Sequence, residues 1–194
     1  DPSGKIVWQG HPGSLSANLI EEHIKGAIQK PLYEWSGKAA KIKKAFLGGD
    51  FSKALDAAEK LAKTDPFGIE AGALLQSILT SRVASLQTAL EAGDILAAYD
   101  GAQELLKGLK GLPEADTLKD MSKTISKNSE MKDTMKMQKR LAKALVGELR
   151  RRKDCDERVV ALEKLLTGHE DTYFGRQVAA AILATGEART KMKY

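Results

Sequence analysis

Three short stretches carry side chains that could do chemistry. His169-Glu170-Asp171 sets an imidazole beside two carboxylates, the residue types of an acid–base or metal cluster. Neighbouring positions point in different directions, however. Asp171 as the N-cap of a last helix, with His169 near the end of the preceding one, accounts for all three without catalysis. Cys155 is the single cysteine and stands between Asp154 and Asp156. Flanking negative charge disfavours the thiolate, so this thiol is expected to be inert. One cysteine also rules out an internal disulfide, a CxxC pair and a cysteine-rich zinc site within these residues. His11, in Gly10-His11-Pro12-Gly13, reads as part of a tight loop rather than as a ligand. No GxSxG, HExxH or phosphate-cradling glycine loop occurs. The sequence therefore offers no catalytic, cofactor-binding or metal residue, and no cofactor is expected.

Charge gives a second kind of chemistry. The 194 residues carry a net charge of +5, yet Lys119 to Lys153 alone holds twelve basic and four acidic residues, or +8. The rest sums to −3. No aromatic residue occurs between Tyr99 and Tyr173, so the basic segment has no stacking platform of the kind that single-stranded nucleic acid uses. A solvated basic face fits better than a nucleic-acid interface, with an acidic partner or membrane headgroups as the alternatives. Arg150-Arg151-Arg152-Lys153 is expected at a helix end, where positive charge suits the macrodipole. The row Met131, Met135, Gln138, Leu141, Leu145, Leu149 is expected to be the core face of one long helix.

The elements that position these residues read as helices. Ala, Leu, Lys and Glu number 26, 24, 23 and 14, against 16 Val and Ile together, which favours a mainly helical protein. No apolar run reaches the length of a membrane span. Apolar periodicity and turn residues place helices at 15–28, 33–47, 51–63, 68–92, 94–109, 114–127, 130–152, 156–167 and 171–184. Pro31, Pro66 and Pro113 fall only at boundaries.

Two of those boundaries repeat. Residues 46–61, Phe46-Leu47-Gly48-Gly49-Asp50-Phe51 onward, align without gaps on Leu90-Glu91-Ala92-Gly93-Asp94-Ile95 onward, at an offset of 44. Gly49/Gly93, Asp50/Asp94, Ala54/Ala98, Asp56/Asp100, Ala58/Ala102 and Leu61/Leu105 match. Ala161-Leu162-Glu163-Lys164-Leu165 is a fainter third copy. A helix ending at Gly, an Asp cap and small residues at fixed places suit stacked helical hairpins. The pattern resembles tetratricopeptide (TPR) repeats, departing from them in period and in lacking their first-helix Trp and Tyr.

The opening residues carry a different signal. Asp1-Pro2-Ser3-Gly4 fits a type I turn, and Lys5-Ile6-Val7-Trp8-Gln9 alternates as a short strand whose partner is expected upstream. Leu15, Leu19, Ile20, Ile24 and Ile28 follow at helical spacing. This order resembles the end of a thioredoxin-like domain of the redoxin or peroxiredoxin-related type, over residues 1–28 alone. The resemblance implies that a CxxC and a cis-proline precede Asp1, that these residues have no dithiol activity by themselves, and that the setting is bacterial and extracytoplasmic.

The expected fold is thus all-α, an array of antiparallel TPR-like hairpins over 31–194, preceded by a strand-and-helix remnant over 1–28. The expected function is the C-terminal part of a thiol-disulfide oxidoreductase whose helical extension binds or scaffolds a protein partner. The alternative is a self-contained helical scaffold with no redox role. In the thioredoxin-like reading, Ile6, Trp8, Leu19, Ile20 and Ile24 would cover a sheet supplied by upstream strands, and without that sheet they are expected to offer a surface for self-association.

Overall fold

A computed structural model describes Trp35 and residues 37–192. The chain falls into two compact units, Asp1–Ala40 and Lys41–Tyr194. The expected strand at 5–9 and helix at 15–28, and with them the remnant over 1–28, lie outside the described residues.

The described residues are all-helical and contain no strand. After a 3₁₀ turn at Gly37–Ala39 come α1 (Ala40–Leu47), α2 (Phe51–Ala62), α3 (Phe67–Ala92), α4 (Ile95–Leu106), α5 (Glu114–Lys127), α6 (Ser129–Leu145), α7 (Arg152–Leu166) and α8 (Tyr173–Lys191). No helix among them is long and apolar enough to cross a membrane.

Each helix buries one stripe. On α3, Gly68, Ala71, Leu75, Leu79 and Val83 recur every three or four residues. On α4 the stripe is Ile95, Ala98, Ala102 and Leu105. Small residues set how closely the helices approach. A Cβ added to Gly68 would stand 2.2 Å from the backbone nitrogen of Ala62, so α2 and α3 meet almost backbone to backbone.

Two apolar clusters form among the described residues. One joins Phe51 of α2, Leu79 and Val83 of α3, the α4 stripe, and Leu118, Met121 and Ile125 of α5. The other joins Leu141 of α6, Leu162 of α7, and Phe174 and Val178 of α8. Each large side chain so buried contributes about 1.5–3 kcal/mol relative to exposure. Helix α6 belongs to both clusters: Met131 and Met135 pack on the first, Leu141 and Met137 on the second.

Several boundaries differ from the sequence expectation, each for a local reason. The helix expected over 130–152 stops at Leu145. Gly147 sits at φ +103°, a left-handed turn that side chains resist, and the carbonyls of Val146 and Gly147 accept from the Arg158 guanidinium at 3.3 and 2.7 Å. The next helix starts at Arg152 instead of 156, because the Asp154 carboxylate accepts from the backbone N–H groups of Arg150 and Arg151 (3.1 and 2.9 Å) and caps it. The arginine run therefore opens a helix rather than closing one. Cations there oppose the macrodipole, and the Arg151–Asp154 ion pair at 2.9 Å offsets this. The last helix runs on to Lys191 and is capped by Thr172, whose hydroxyl accepts from Gly175 N–H at 2.9 Å. Asp171 is not its cap.

Candidate functional site

The two glycine–aspartate junctions are built alike. At the first, Gly49 N–H donates to the Phe46 carbonyl (3.0 Å) and Asp50 N–H to the Ala45 carbonyl (2.9 Å). At the second, Gly93 N–H donates to Leu90 (3.1 Å) and Asp94 N–H to Ala89 (2.8 Å). Both are Schellman closures, and both glycines are left-handed, at φ +77° and +94°. Each aspartate then caps the next helix: Asp50 Oδ1 accepts from Lys53 N–H (3.0 Å) and Asp94 Oδ1 from Ala97 N–H (3.3 Å). Phe51 and Ile95 follow as the first buried residues of α2 and α4. One residue, the aspartate, thus serves both the helix end and the helix start.

The second N–H of each new helix is held from afar, by different means. Ser52 N–H donates to the Gly108 carbonyl at 2.9 Å, and the Ser52 hydroxyl bonds to the carbonyls of Gly108 and Lys110 (3.2 and 2.8 Å). Leu96 N–H donates to Gln138 Oε1 at 2.8 Å, while Gln138 Nε2 donates to the Gly93 carbonyl at 3.0 Å. Gln138 is 4% exposed. It lies in the apolar row of α6, where the sequence reading placed it as core; the structure makes it a two-ended clamp. An amide interrupting an apolar stripe was the available signal.

The outer oxygens of the two aspartates differ as well. Asp94 Oδ2 accepts from the Tyr173 hydroxyl at 3.2 Å and from Gln177 Nε2 at 3.4 Å. Burial, and then the negative charge of Asp94, push the Tyr173 phenol above its ordinary range. Asp50 Oδ2 instead pairs with Lys53 Nζ at 2.7 Å, and hydrogen bonding from Lys53 holds that carboxyl below the usual carboxylate range.

Beside the first junction a cleft of about 590 Å³ opens. Gly48, Gly49 and Asp50 form one wall, Ser81, Arg82, Ser85 and Leu86 of α3 a second, and Gly101, Glu104 and Leu105 of α4 a third. The Arg82 guanidinium lies 5.3 Å over the Phe51 ring, and Glu104 pairs with Lys107. The lining combines apolar patches, hydroxyls, bare glycine backbone and charges of both signs. Within it the Ser85 hydroxyl donates to the Ser81 carbonyl at 2.9 Å.

The other residues singled out in the sequence are kept apart. Cys155 is fully buried, its sulfur 3.9 Å from that of Met192. His169 packs edge-on against Phe174, ring centroids 5.5 Å apart. Glu170 accepts from Gly168 N–H at 3.1 Å, and backbone N–H groups hold its carboxyl below the usual range. Asp171 is exposed. Among the described residues, no group of three or more His, Cys, Asp or Glu could hold a metal ion.

The basic segment is divided between internal pairing and solvent. Lys119 pairs with Asp116 (2.9 Å) and Lys136 with Asp133 (2.8 Å), while Arg152 donates to the Met192 carbonyl (2.9 Å). Lys132, Lys136, Lys139 and Lys143 form an exposed stripe on α6. In the predicted apolar row, Leu141 is buried and Met131 and Met135 are half-buried. Leu145 is exposed at the helix end, and Leu149 lies beyond it.

Compared with known proteins, the chain matches no protein-family model, no curated protein and no solved structure.

Proposed function

We propose that the helical unit is a protein-binding module built as TPR-like antiparallel hairpins, and that the chain is the C-terminal part of a thioredoxin-like thiol-disulfide oxidoreductase. The observation that carries the binding role is the contrast at the two junctions. The same closure is sealed by later helices at Gly93–Asp94 and faces an open, mixed-polarity cleft at Gly49–Asp50. Stacked helical hairpins bind along such surfaces. The oxidoreductase parentage rests on the sequence of residues 1–28, whose expected turn and strand, Gly10-His11-Pro12 and apolar periodicity follow the order typical of the end of redoxin domains. An extracytoplasmic bacterial setting goes with that parentage.

A photo-crosslinking residue at Ser85, inside the cleft, and another at Ala161, exposed on α7, test the binding role. One partner captured at position 85 and not at 161, and competed by an unlabelled fragment of itself, is the expected result. Equal labelling at both positions would remove the cleft from the function. The parentage is tested on the coding sequence ahead of Asp1: a CxxC about one thioredoxin-domain length upstream is expected. A start codon immediately before Asp1 leaves the self-contained scaffold as the reading.

A further inference from the structure

The covered junction shows what the open one is shaped to receive. At Gly93 an added Cβ would meet the Cβ of Tyr173 at 3.1 Å, so α8 lies directly on this glycine. From there the Tyr173 hydroxyl reaches Asp94 Oδ2. Gln177, one helical turn later, sends its amide to the same oxygen. A tyrosine and a glutamine four residues apart on one helix thus read a glycine and an aspartate adjacent in sequence. At Gly49 an added Cβ would meet nothing within 4 Å. Asp50 presents the equivalent oxygen, which among the described residues pairs with Lys53 alone, a side chain 79% exposed. The equivalent residue in the other junction is Ala97.

We propose that Gly49 and Asp50, with the adjoining cleft, form a docking site for a partner helix that presents tyrosine and, four residues later, glutamine. The tyrosine ring lies on Gly49, and its hydroxyl and the glutamine amide donate to Asp50 Oδ2, displacing Lys53 into solvent. Two neutral donors satisfy the carboxylate without cancelling its charge, as at Asp94. The glycine is needed because a side chain there would stand where the ring must lie. Leu86 and Leu105 offer apolar wall for the rest of the helix. This inference deepens the protein-binding reading and rests on it.

The test uses the full 194-residue chain and a stapled alanine-based helix of about 16 residues, long enough to hold helical shape once stapled, bearing Tyr and Gln four apart. Amide chemical shifts are followed by NMR as the peptide is added. Saturable shifts centred on Gly48–Lys53 and Ser85 are expected. Replacing the peptide's Tyr by Phe should weaken binding roughly three- to tenfold, the weight of one hydrogen bond. Lys53→Ala, which keeps the backbone N–H that Asp50 caps, should tighten binding by roughly threefold or more, on the same scale. Four results overturn the proposal: no saturable shift at millimolar peptide, equal binding of the Phe peptide, shifts centred on Gly93–Ala97 through displacement of α8, or concentration-dependent self-association through Gly48–Lys53 that the peptide does not compete. If Ser85 still captures a competable partner, the protein-binding reading survives while this inference falls. If the peptide binds and Ser85 captures nothing, the broader reading fails.

Discussion

The junctions at Gly49–Asp50 and Gly93–Asp94 start from nearly the same residues and end in different environments. Both close one helix and cap the next with matching backbone hydrogen bonds. What differs is reach. The first is held from behind by the Gly108 backbone and keeps its outer face open. The second is clamped by Gln138 and covered by Tyr173 and Gln177. Local sequence thus sets the corner, and residues 42 or more positions away decide whether it is left open or covered.

The largest effect should come from the support behind the first junction. A Cβ at Gly108 would stand 1.9 Å from the Gly49 carbonyl oxygen. Both sides of that contact are backbone, so the end of α4 must move and the Ser52 bonds are lost with it. Gly108→Ala should destabilise the helical unit by about 3 kcal/mol, the upper end for overpacking, read as a lowered urea midpoint. Gly101→Ala is the control. Its Cβ would meet only side-chain atoms of Leu86, the Cδ2 nearest at 2.4 Å, and that side chain's end can swing into the cleft. The helix gain of about 1 kcal/mol for Ala over Gly then leaves stability nearly unchanged or raised. Equal losses in the two variants would show that the first junction is not braced from behind.

Next in size is the clamp of the second junction. Gln138→Ala leaves Leu96 N–H and the Gly93 carbonyl without their partner, for a cost of about 2 kcal/mol. Gln138→Glu should recover only part of this, since a carboxylate accepts from Leu96 but cannot donate to Gly93. Ser52→Ala, at the matching place in the first junction, should cost only about 0.5–1 kcal/mol, because its backbone bond to Gly108 remains. Urea melts of the three variants check the ordering. If Ser52→Ala costs as much as Gln138→Ala, the first junction depends on a side chain just as the second does.

How far the sequence revealed this structure follows the same division between local and distant. The corners at 48–50 and 92–94 were legible because glycine and aspartate perform their tasks within one turn. The starts of α2, α4 and α5 fell within a residue of expectation for the same kind of reason. The stop at Leu145 was not legible. Gly147 alone is a weak breaker, and it takes Arg158, eleven positions on, to hold the freed carbonyls. Thr172 displaced Asp171 as a cap because its hydroxyl also donates to the His169 carbonyl at 2.7 Å, a geometry that depends on how Gly175 packs over that residue. The cleft was invisible in the sequence. It is formed by the first junction and two helices whose lining residues span positions 48–108, and none of them is unusual alone.

The smallest expected effects concern pH, and they run in opposite directions at the two junctions. Asp50 has a lowered pKa when folded, so its contribution is complete above the ordinary aspartate range and is lost as pH falls through the folded value. Because the Asp50–Lys53 pair is exposed on the lysine side, the loss should be within about 1 kcal/mol. Tyr173 has a raised pKa, so its contribution is complete below the ordinary phenol range, about 10, and is lost as pH rises through the folded value. A phenolate there can no longer donate to Asp94 and places a second negative charge beside it. Tyr173→Phe should therefore lower the urea midpoint at pH 8, by the worth of one hydrogen bond, about 1 kcal/mol. It should also flatten the decline between pH 8 and about 10.5, a window that spans the ordinary phenol range. Asp50→Asn should leave that alkaline decline intact and flatten the acid one. A Tyr173→Phe variant whose alkaline decline matched the wild type would mean that the Tyr173–Asp94 contact holds no free energy, and that α8 lies on the second junction through packing alone.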